Sequence, residues 1–352
     1  MGALIYHKQL RATRNLMAKF ERESLSNARY INRLSFSFKQ EFNFRTVWEI
    51  PDNLEKELDA FVGQTPVKEA LEIAIISAIK RRKPIDHIMF AGSPGLGKST
   101  LARKVASVMN LPFYSYTGQS ISKAGELSNL VKFIQTNSLF AIIFIDEIHS
   151  IKRGVSEELY EILQDFSFHG NAIKPFTCIA ATTSPGSILK PLRDRFSYVF
   201  RLKPYSNDEI KQILTRVDRT LPKKVAELIA ARSNGIPRVA LSLYRGASNI
   251  ATYCDETRVA EKHCLYALKL GGVDELGLKE EHIQVLRLLR DAGNPVGRST
   301  ICAALDIDDS ELVQIIEPIL LSNGLIVRVP RGREITNKGL SYINSKEDLS
   351  HG

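Results

Sequence analysis

A glycine-rich octapeptide at residues 92–99, Gly-Ser-Pro-Gly-Leu-Gly-Lys-Ser, limits the choice of folds more than any other part of this chain. It follows the apolar run Ile88–Ala91 and precedes a segment of good helix formers, Thr100–Ala106. This is the strand–loop–helix setting that the phosphate-loop motif G-x-x-x-x-G-K-[ST] requires. The glycines let several backbone N–H groups point at phosphates, and the helix N-terminus adds partial positive charge. The sequence therefore predicts an α/β fold that binds nucleotide phosphates.

The motif also predicts roles for individual residues. We expect Lys98 to reach the β- and γ-phosphates and the Ser99 hydroxyl to ligate Mg²⁺, which makes ATP and Mg²⁺ the predicted cofactors. The loop and the first residues of its helix are the predicted nucleotide contacts, namely Gly92, Ser93, Pro94, Gly95, Leu96, Gly97, Lys98, Ser99 and Thr100.

Two adjacent acids, Asp146 and Glu147, follow the apolar run Ala141–Ile145. We predict that Asp146 holds Mg²⁺ through water and that Glu147 polarises the water that attacks the γ-phosphate. An acid pair at the end of a strand is weak evidence by itself. Together with the upstream phosphate loop it predicts ATP hydrolysis and not merely nucleotide binding.

Hydroxyls end the next predicted strand, at Thr182 and Thr183. A hydroxyl beside the acid pair can donate a hydrogen bond to the γ-phosphate or to the attacking water. The spacing favours Thr183, with Thr182 as the alternative. If these hydroxyls have no role in catalysis, they simply cap a helix at the end of the strand.

Three arginines are candidates for contacts with the phosphates. Arg193 and Arg195 precede a predicted strand, and a guanidinium neutralises the charge that develops on a transferring phosphoryl group. Because both lie far along the chain from the phosphate loop, we expect one subunit to supply them to the next. Arg238 opens a later helix, from which it can sense whether the nucleotide carries two or three phosphates.

The order of strand-like and helical runs predicts the domain organisation. Residues 46–202 alternate the two, which indicates a parallel sheet with helices on both faces. Residues 203–272 have helical patterns only and predict a helical lid domain. Residues 273–347 predict short helices and then two strands around a Pro-Arg-Gly-Arg turn, a pattern typical of a winged-helix domain. The predicted strands of the sheet are His87–Ala91, Pro112–Tyr116, Phe140–Ile145, Phe176–Ala181 and Tyr198–Leu202.

The positive charge is concentrated at the start of the chain. Residues 1–45 hold nine Lys or Arg and three Glu, so this basic N-terminal extension carries six of the net nine positive charges. Such a surplus favours nucleic acid, or docking to an unidentified protein partner. A solvated basic helix and an organelle-targeting segment are the alternatives.

Composition excludes a membrane-spanning protein. The most apolar stretch, Leu139–Ile145, has seven residues, whereas a spanning helix needs ~20. The four cysteines form no CxxC pair and indicate reduced core thiols. We therefore predict a cytoplasmic, nucleoid-associated protein.

These segments together resemble the AAA+ ATPases, and within them the RuvB family of Holliday-junction branch-migration motors. The matching stretches are Phe61–Gln64, Asp86–Lys98, Phe144–His149, Ala181–Thr183, Pro191–Phe196, Gly235–Arg238 and the segment from Glu317 to Arg333. The resemblance implies the following roles: Walker A at Lys98 and Ser99, Walker B at Asp146 and Glu147, sensor 1 at Thr183, sensor 2 at Arg238, the arginine finger at Arg195 with Arg193 beside it, and an adenine site at Phe61, Val62, Gly63 and Tyr205.

The resemblance also implies partners. Family members act as hexameric rings on duplex DNA, with the winged helix and wall loops on the phosphate backbone. In this chain the implied DNA contacts are Arg331, Arg333, Arg298 and Lys123. Basic side chains at loop tips attract a phosphate backbone without choosing a sequence.

Two features depart from the family pattern. The stretch Asp165–Phe176 is too short for the long β-hairpin that docks the partner RuvA, which argues against a RuvA-type partner here. The basic N-terminal extension has no counterpart in the family. Both departures predict a motor that has changed partners.

Three functions fit the sequence, in order of preference. The first is an ATP-driven DNA translocase or branch-migration motor. The second is an ATP-controlled recruiter or loader that hands DNA to a partner bound by residues 1–45. The third and weakest is a protein remodeller.

Overall fold

Buried parallel strands form the centre of the structure. The computed structural model of the chain describes residues 50–51, 54–123, 125–136 and 140–350, which belong to the unit Val47–Gly352. The basic N-terminal extension, and every prediction made for it, lies outside the described residues. In chain order the strands are β1 (Ile88–Ala91), β2 (Phe113–Thr117), β3 (Ile142–Asp146), β4 (Ser167–Phe168), β5 (Asn171–Ala172), β6 (Thr177–Thr182), β7 (Tyr198–Arg201), β8 (Ile326–Val329) and β9 (Gly332–Ile335).

Five of these strands pair in the order β2-β3-β6-β1-β7, and every pair is parallel. All the residues of β1 and β6 are buried, because these central strands of the parallel sheet are covered on both faces. The five predicted strands are confirmed, each to within two residues of its predicted ends.

Helices cover the two faces of the sheet and build a separate apolar core on each. In chain order they are α1 (Leu54–Asp59), α2 (Thr65–Arg81), α3 (Lys98–Val108), α4 (Gly118–Ile121), α5 (Glu126–Thr136), α6 (Arg153–Asp165) and α7 (Lys190–Arg193). The α3 helix follows β1 directly after the phosphate loop, as the sequence motif predicts.

A helical lid follows the sheet. It contains α8 (Asn207–Val217), α9 (Lys223–Arg232), α10 (Pro237–Tyr253) and α11 (Glu261–Leu270). The α8 helix begins with a reciprocal cap, because Ser206 Oγ accepts from the N–H of Glu209 at 3.3 Å and the Glu209 carboxylate accepts from the N–H of Ser206 at 2.7 Å. The buried lid residues share a core with one face of the sheet, so the lid is packed on that face.

The last segment is a winged helix with its own apolar core. It contains α12 (Glu280–Ala292), α13 (Arg298–Leu305), α14 (Asp309–Glu311), a π-helical turn (Leu312–Ile316), α15 (Glu317–Ser322), the antiparallel pair β8–β9 and α16 (Asn337–Ser350). The wing packs tightly at Gly332, where φ is +149° and an added Cβ would lie 2.1 Å from the carbonyl oxygen of Val296.

Two predictions can be compared with the structure directly, and one of them is wrong. The stretch Asp165–Phe176 forms a hairpin in which β4 and β5 pair over only two residues each. The stretch therefore holds only a short hairpin, as its length predicts. The prediction that all four cysteines are core thiols is wrong, because Cys254 is exposed and Cys302 is half-buried. Among the described residues, no helix has the length and apolarity needed to cross a membrane.

A buried histidine, His87, makes the stability of the sheet depend on pH. Its Nδ1 accepts from the N–H of Cys178 at 3.0 Å, and its Nε2 lies 3.1 Å from the carbonyl oxygen of Leu163. The ring is therefore neutral with its proton on Nε2, and burial lowers its pKa to about 4. The unfolded chain takes up this proton near pH 6.5, before the folded chain does.

We therefore expect His87 to remove about 3 kcal/mol from the free energy of unfolding between pH 7 and pH 4. Urea unfolding of the wild type and of His87→Gln at several pH values measures this contribution. Every other titrating group is present in both proteins. The difference between their free energies of unfolding should therefore shrink by about that amount as the pH falls from 7 to 4. Parallel curves would contradict the assignment.

Candidate nucleotide site

The carboxyl ends of three neighbouring strands bring the candidate residues to one edge of the sheet. In the order β3-β6-β1, Asp146 ends β3, Thr183 follows β6, and the phosphate loop follows β1. The N–H of Gly92 donates to the carbonyl of Thr182 at 3.1 Å, so the loop leaves the sheet beside the end of β6. The sheet topology thus gathers residues that are far apart in the sequence.

The phosphate loop closes around the side chain of Lys98. Gly95 and Gly97 have φ values of +83° and +93°, a conformation that L side chains rarely adopt. The Lys98 ammonium donates to the carbonyl oxygens of Gly92 at 2.7 Å and Ser93 at 3.1 Å, and the residue is 7 % exposed.

Charged groups around Lys98 show which residues share its surroundings. Burial lowers the pKa of Lys98, Glu147 and Asp146 act to raise it, and Arg238 acts to lower it. Burial also raises the pKa of Asp146, and the negative charge of Glu147 adds to that rise. Lys98 and Asp146 therefore lie within range of the charges of Glu147 and Arg238.

Two aromatic residues predicted for the adenine site lie against the phosphate loop. An added Cβ at Gly97 would lie 3.1 Å from the ring of Phe61. The Tyr205 hydroxyl donates to the carbonyl of Leu96 at 3.1 Å, and burial raises its pKa to about 12. Val62, beside Phe61, is buried.

Arg238 connects the lid to the phosphate loop. It lies in the first turn of α10, and its N–H donates to the carbonyl of Gly95 at 3.4 Å. An added Cβ at Gly95 would lie 2.8 Å from Cβ of Arg238. The structure thus places Arg238 on the loop of its own chain.

Glu147 is held by the residue after β6. Its Oε2 accepts from the N–H of Thr183 at 3.1 Å and from the Thr183 hydroxyl at 3.0 Å. Glu147 has a left-handed φ of 48°, and its N–H donates to Asp146 Oδ1 at 3.1 Å. Of the two candidate threonines, Thr183 is the one that contacts the acid pair.

His149 belongs to this site, although the sequence analysis gave it no role. Its Nδ1 lies 3.1 Å from Glu147 Oε2 and 3.1 Å from the Thr182 hydroxyl. Thr182 itself is fully buried. The available signal was the position of His149 two residues after Glu147, in the short 3-10 turn that follows β3.

Arg195 makes its contacts away from the phosphate loop. Its guanidinium lies over the ring of Tyr160 on α6 at 4.5 Å, and its Nη2 donates to the Tyr160 hydroxyl at 2.8 Å. Within the described part of the chain, its buried Nε has no hydrogen-bond partner. Tyr160 also lines a surface cavity of about 590 Å³. Arg193, which is half-buried, ends α7 nearby.

The predicted DNA contacts do not share one environment. Arg331 at the wing turn and Lys123 are exposed, whereas the Arg298 guanidinium pairs with Asp309 at 2.6 Å. Arg333 is the least exposed of them, because its guanidinium makes two 3.0 Å bonds to Glu317 and its side chain is only 16 % exposed.

The partner of Arg333 is a buried charge. Glu317 is 0 % exposed, and burial acts to raise its pKa, but bonds from Arg328 and Arg333 outweigh burial and hold that pKa below its usual value. A buried carboxylate without these partners would be costly. Arg333 therefore pairs with a buried carboxylate in the winged helix, whereas Arg331 is exposed at the wing turn.

Comparisons with known proteins match two parts of the chain to described families. Residues 54–202 match the family described as the Holliday junction DNA helicase RuvB P-loop domain. Residues 275–344 match the RuvB C-terminal winged helix domain.

Individual relatives match over most of the chain. The sequence is 38 % identical over 305 residues to the Holliday junction branch migration complex subunit RuvB of Ehrlichia ruminantium (strain Gardel), covering 82 % of this chain and 91 % of that protein. The corresponding protein of Kosmotoga olearia is 37 % identical over 306 residues, covering 82 % of this chain and 89 % of its own length. The solved Thermotoga maritima RuvB Holliday junction branch migration motor matches with a TM-score of 0.75 at 31 % identity, covering 85 % of this chain and 99 % of that one.

Proposed function

The chain belongs to the RuvB family, and from this we propose that it is an AAA+ ATPase that couples ATP hydrolysis to the movement of DNA, as a translocase or branch-migration motor. One observation carries the proposal most directly. The charges of Glu147 and Arg238 act on Lys98 and Asp146 at the edge of the sheet where Thr183 contacts Glu147. Binding groups and hydrolytic groups thus lie in one place.

The nucleotide lies on the phosphate loop in this proposal. Its phosphates accept hydrogen bonds from the loop N–H groups and from the Lys98 ammonium, which exchanges its bonds to the Gly92 and Ser93 carbonyls for phosphate oxygens. Phe61 and Tyr205 provide the surface for the base. Mg²⁺ fits the hydroxyl of Ser99 and the carboxylate of Asp146, because both are the hard oxygen ligands that it prefers. When bound, Mg²⁺ neutralises charge on the β- and γ-phosphate oxygens.

Glu147 acts on the attacking water. The water oxygen forms a bond to the γ-phosphorus, the bond from that phosphorus to the bridging oxygen breaks, and the water proton moves to the Glu147 carboxylate. In the described conformation this carboxylate accepts two bonds from Thr183. Glu147 must therefore exchange part of that contact for the water before hydrolysis, and Thr183 is then free to bond the γ-phosphate.

Arg195 completes the pocket of a neighbouring copy. Its guanidinium contacts the ring and hydroxyl of Tyr160 on α6. A ring, for which we propose six copies, gives each arginine a neighbouring pocket, because head-to-tail contacts between identical copies close into rings. Arg193 lies in the same interface in this proposal.

The winged helix holds the phosphate backbone of DNA, with Arg331 as its principal contact. We expect Arg331→Ala to weaken DNA binding and to lower the dependence of log affinity on log salt concentration by about one unit for each wing in contact. Binding titrations at several salt concentrations measure this slope. An unchanged slope would remove Arg331 from the interface.

Arg333→Ala is the matched comparison, with a different expected result. It should lower the free energy of unfolding by about 2 kcal/mol, less than the ~3–5 kcal/mol of a fully broken buried pair, because Arg328 still faces Glu317. Urea unfolding followed by circular dichroism measures this loss. If Arg333→Ala changed the salt slope and not the stability, the two arginines would have exchanged roles.

The partner proteins differ from the family pattern in this proposal. A two-residue pairing between β4 and β5 offers little surface for a RuvA-type partner. The basic N-terminal extension supplies an additional segment for DNA or for another protein. The same short hairpin supports the second candidate function, an ATP-controlled recruiter or loader that assembles on DNA without moving it.

A single assay separates the two functions. Purified full-length protein is incubated with a labelled four-way DNA junction and ATP, a non-hydrolysable ATP analogue, or no nucleotide. A motor dissociates the junction with ATP only. Nucleotide-dependent assembly on the junction, with no strand movement under any condition, would overturn the motor and support the loader.

A further inference from the structure

The winged helix reaches the loop that carries Thr183 through one amide side chain. Gln314 Nε2 donates to the Ser184 hydroxyl at 3.2 Å, and both residues are half-buried. Ser184 directly follows Thr183, which in turn bonds Glu147. Gln314 lies in the middle of the π-helical turn Leu312–Ile316, and such turns are rare and frequent at functional sites.

Ser184 is also connected to the acid pair through a second set of bonds. Its N–H donates to the Thr182 hydroxyl at 3.0 Å, and that hydroxyl lies 3.1 Å from His149 Nδ1. His149 Nδ1 lies 3.1 Å from Glu147 Oε2. The contact from Gln314 therefore ends on a continuous polar chain that leads to the carboxylate proposed to activate water.

A second amide reaches the loop that precedes Arg238 and helix α10. Asn323 Nδ2 donates to Asn234 Oδ1 at 3.0 Å, and Asn234 Nδ2 donates to the carbonyl of Gly277 at 3.3 Å. Asn234 has a left-handed φ of 51° and precedes Gly235, whose carbonyl accepts from the N–H of Tyr205 at 2.8 Å. Asn234 is thus bonded both to the winged helix and to the turn at Gly277.

The bonds from Gln314 and Asn323 thus connect the winged helix to two loops. One loop carries Thr183, and the other leads into the first turn of α10, where Arg238 lies. We propose that Gln314 and Asn323 are positioning residues. Through them the winged helix holds the Thr183 loop and the loop before Arg238 in the arrangement that keeps Glu147 bonded to Thr183. Force on the winged helix from bound DNA loosens these contacts and frees Glu147. This inference rests on the proposed function, because it assigns the regulation of the same ATPase site.

The test measures ATP turnover of the full chain with and without duplex DNA. Gln314→Ala and Asn323→Ala each remove one donor to a sensor loop. Each should raise the DNA-free turnover up to about fivefold, the rate equivalent of one neutral hydrogen bond of ~1 kcal/mol, and should lower the stimulation by DNA by the same factor. The double variant should lower the stimulation further. DNA affinity, measured separately, should stay within twofold of the wild type.

Gln284→Ala is the matched control, because Gln284 is an exposed glutamine on α12 of the same domain. It should leave ATP turnover unchanged both with and without duplex DNA. Ser184→Ala removes the Gln314 contact from the other side and serves if Gln314→Ala does not fold. A lower melting temperature with an unchanged stimulation ratio in all variants would assign the amides a purely structural role and overturn this inference. A wild type that hydrolyses no ATP, with or without DNA, would overturn the proposed function itself.

Discussion

Replacement of Glu147 by Gln should lower steady-state ATP turnover by about 10²- to 10³-fold, because a positioned general base typically contributes 10²–10⁴ to the rate. The amide keeps the shape of the side chain and can still accept a bond from the Thr183 N–H. Nucleotide affinity should therefore change by no more than a few-fold. Turnover is measured as phosphate release, and affinity with a fluorescent nucleotide.

The control for this substitution is Glu158→Gln, a change of the same type at an exposed position of α6. It should turn over ATP at the wild-type rate. If Glu147→Gln also kept that rate, the water-activating role would belong to another residue. Loss of nucleotide binding together with turnover would instead make Glu147 a structural part of the pocket.

Replacement of Arg195 by Ala should lower ATP turnover in the pure protein by about 10³-fold, the scale of other arginine fingers. The effect should be reversible by mixing, because the arginine is proposed to serve a neighbour. When Arg195→Ala and Glu147→Gln proteins are mixed in equal amounts, roughly a quarter of the pockets in a closed ring combine an intact Glu147 with an intact Arg195. The inactive proteins should therefore recover turnover on mixing.

Arg153→Ala is the comparison on the same surface, since Arg153 lines the cavity beside Tyr160 and pairs with Glu157 in solvent. It should remain active, because a solvent-exposed pair contributes little to stability. No recovery on mixing, under conditions where the two proteins assemble together, would place Arg195 in its own pocket or outside the chemistry. Arg193→Ala, tested in the same way, separates the finger from its neighbour.

The sheet and its site could be predicted because their signals are local. A glycine-rich loop between a strand and a helix, or two acids after an apolar run, is defined by a few consecutive residues. Parallel strands then bring their carboxyl ends to one edge whatever lies between them in sequence. The convergence of Lys98, Asp146 and Thr183 follows from that rule.

The features that the sequence did not reveal depend on contacts across long distances. Arg333 has the spacing of a wing-tip arginine, and only the fold brings it onto the buried carboxylate of Glu317. His149 carries no metal-ligand spacing, and its role emerges when β3 and β6 become neighbours. The bond from Gln314 to Ser184 joins residues 130 positions apart. No periodicity or motif encodes such a pair.

The contact between Gly95 and Arg238 has a mechanical consequence. At this point the backbone of the phosphate loop contacts the first turn of α10 and leaves no space for an added carbon atom. We expect a phosphate bound here to shift the helix as a rod. The rod has seventeen residues and is about 25 Å long. We therefore expect a small displacement at the phosphate loop to reach the far end of this helix.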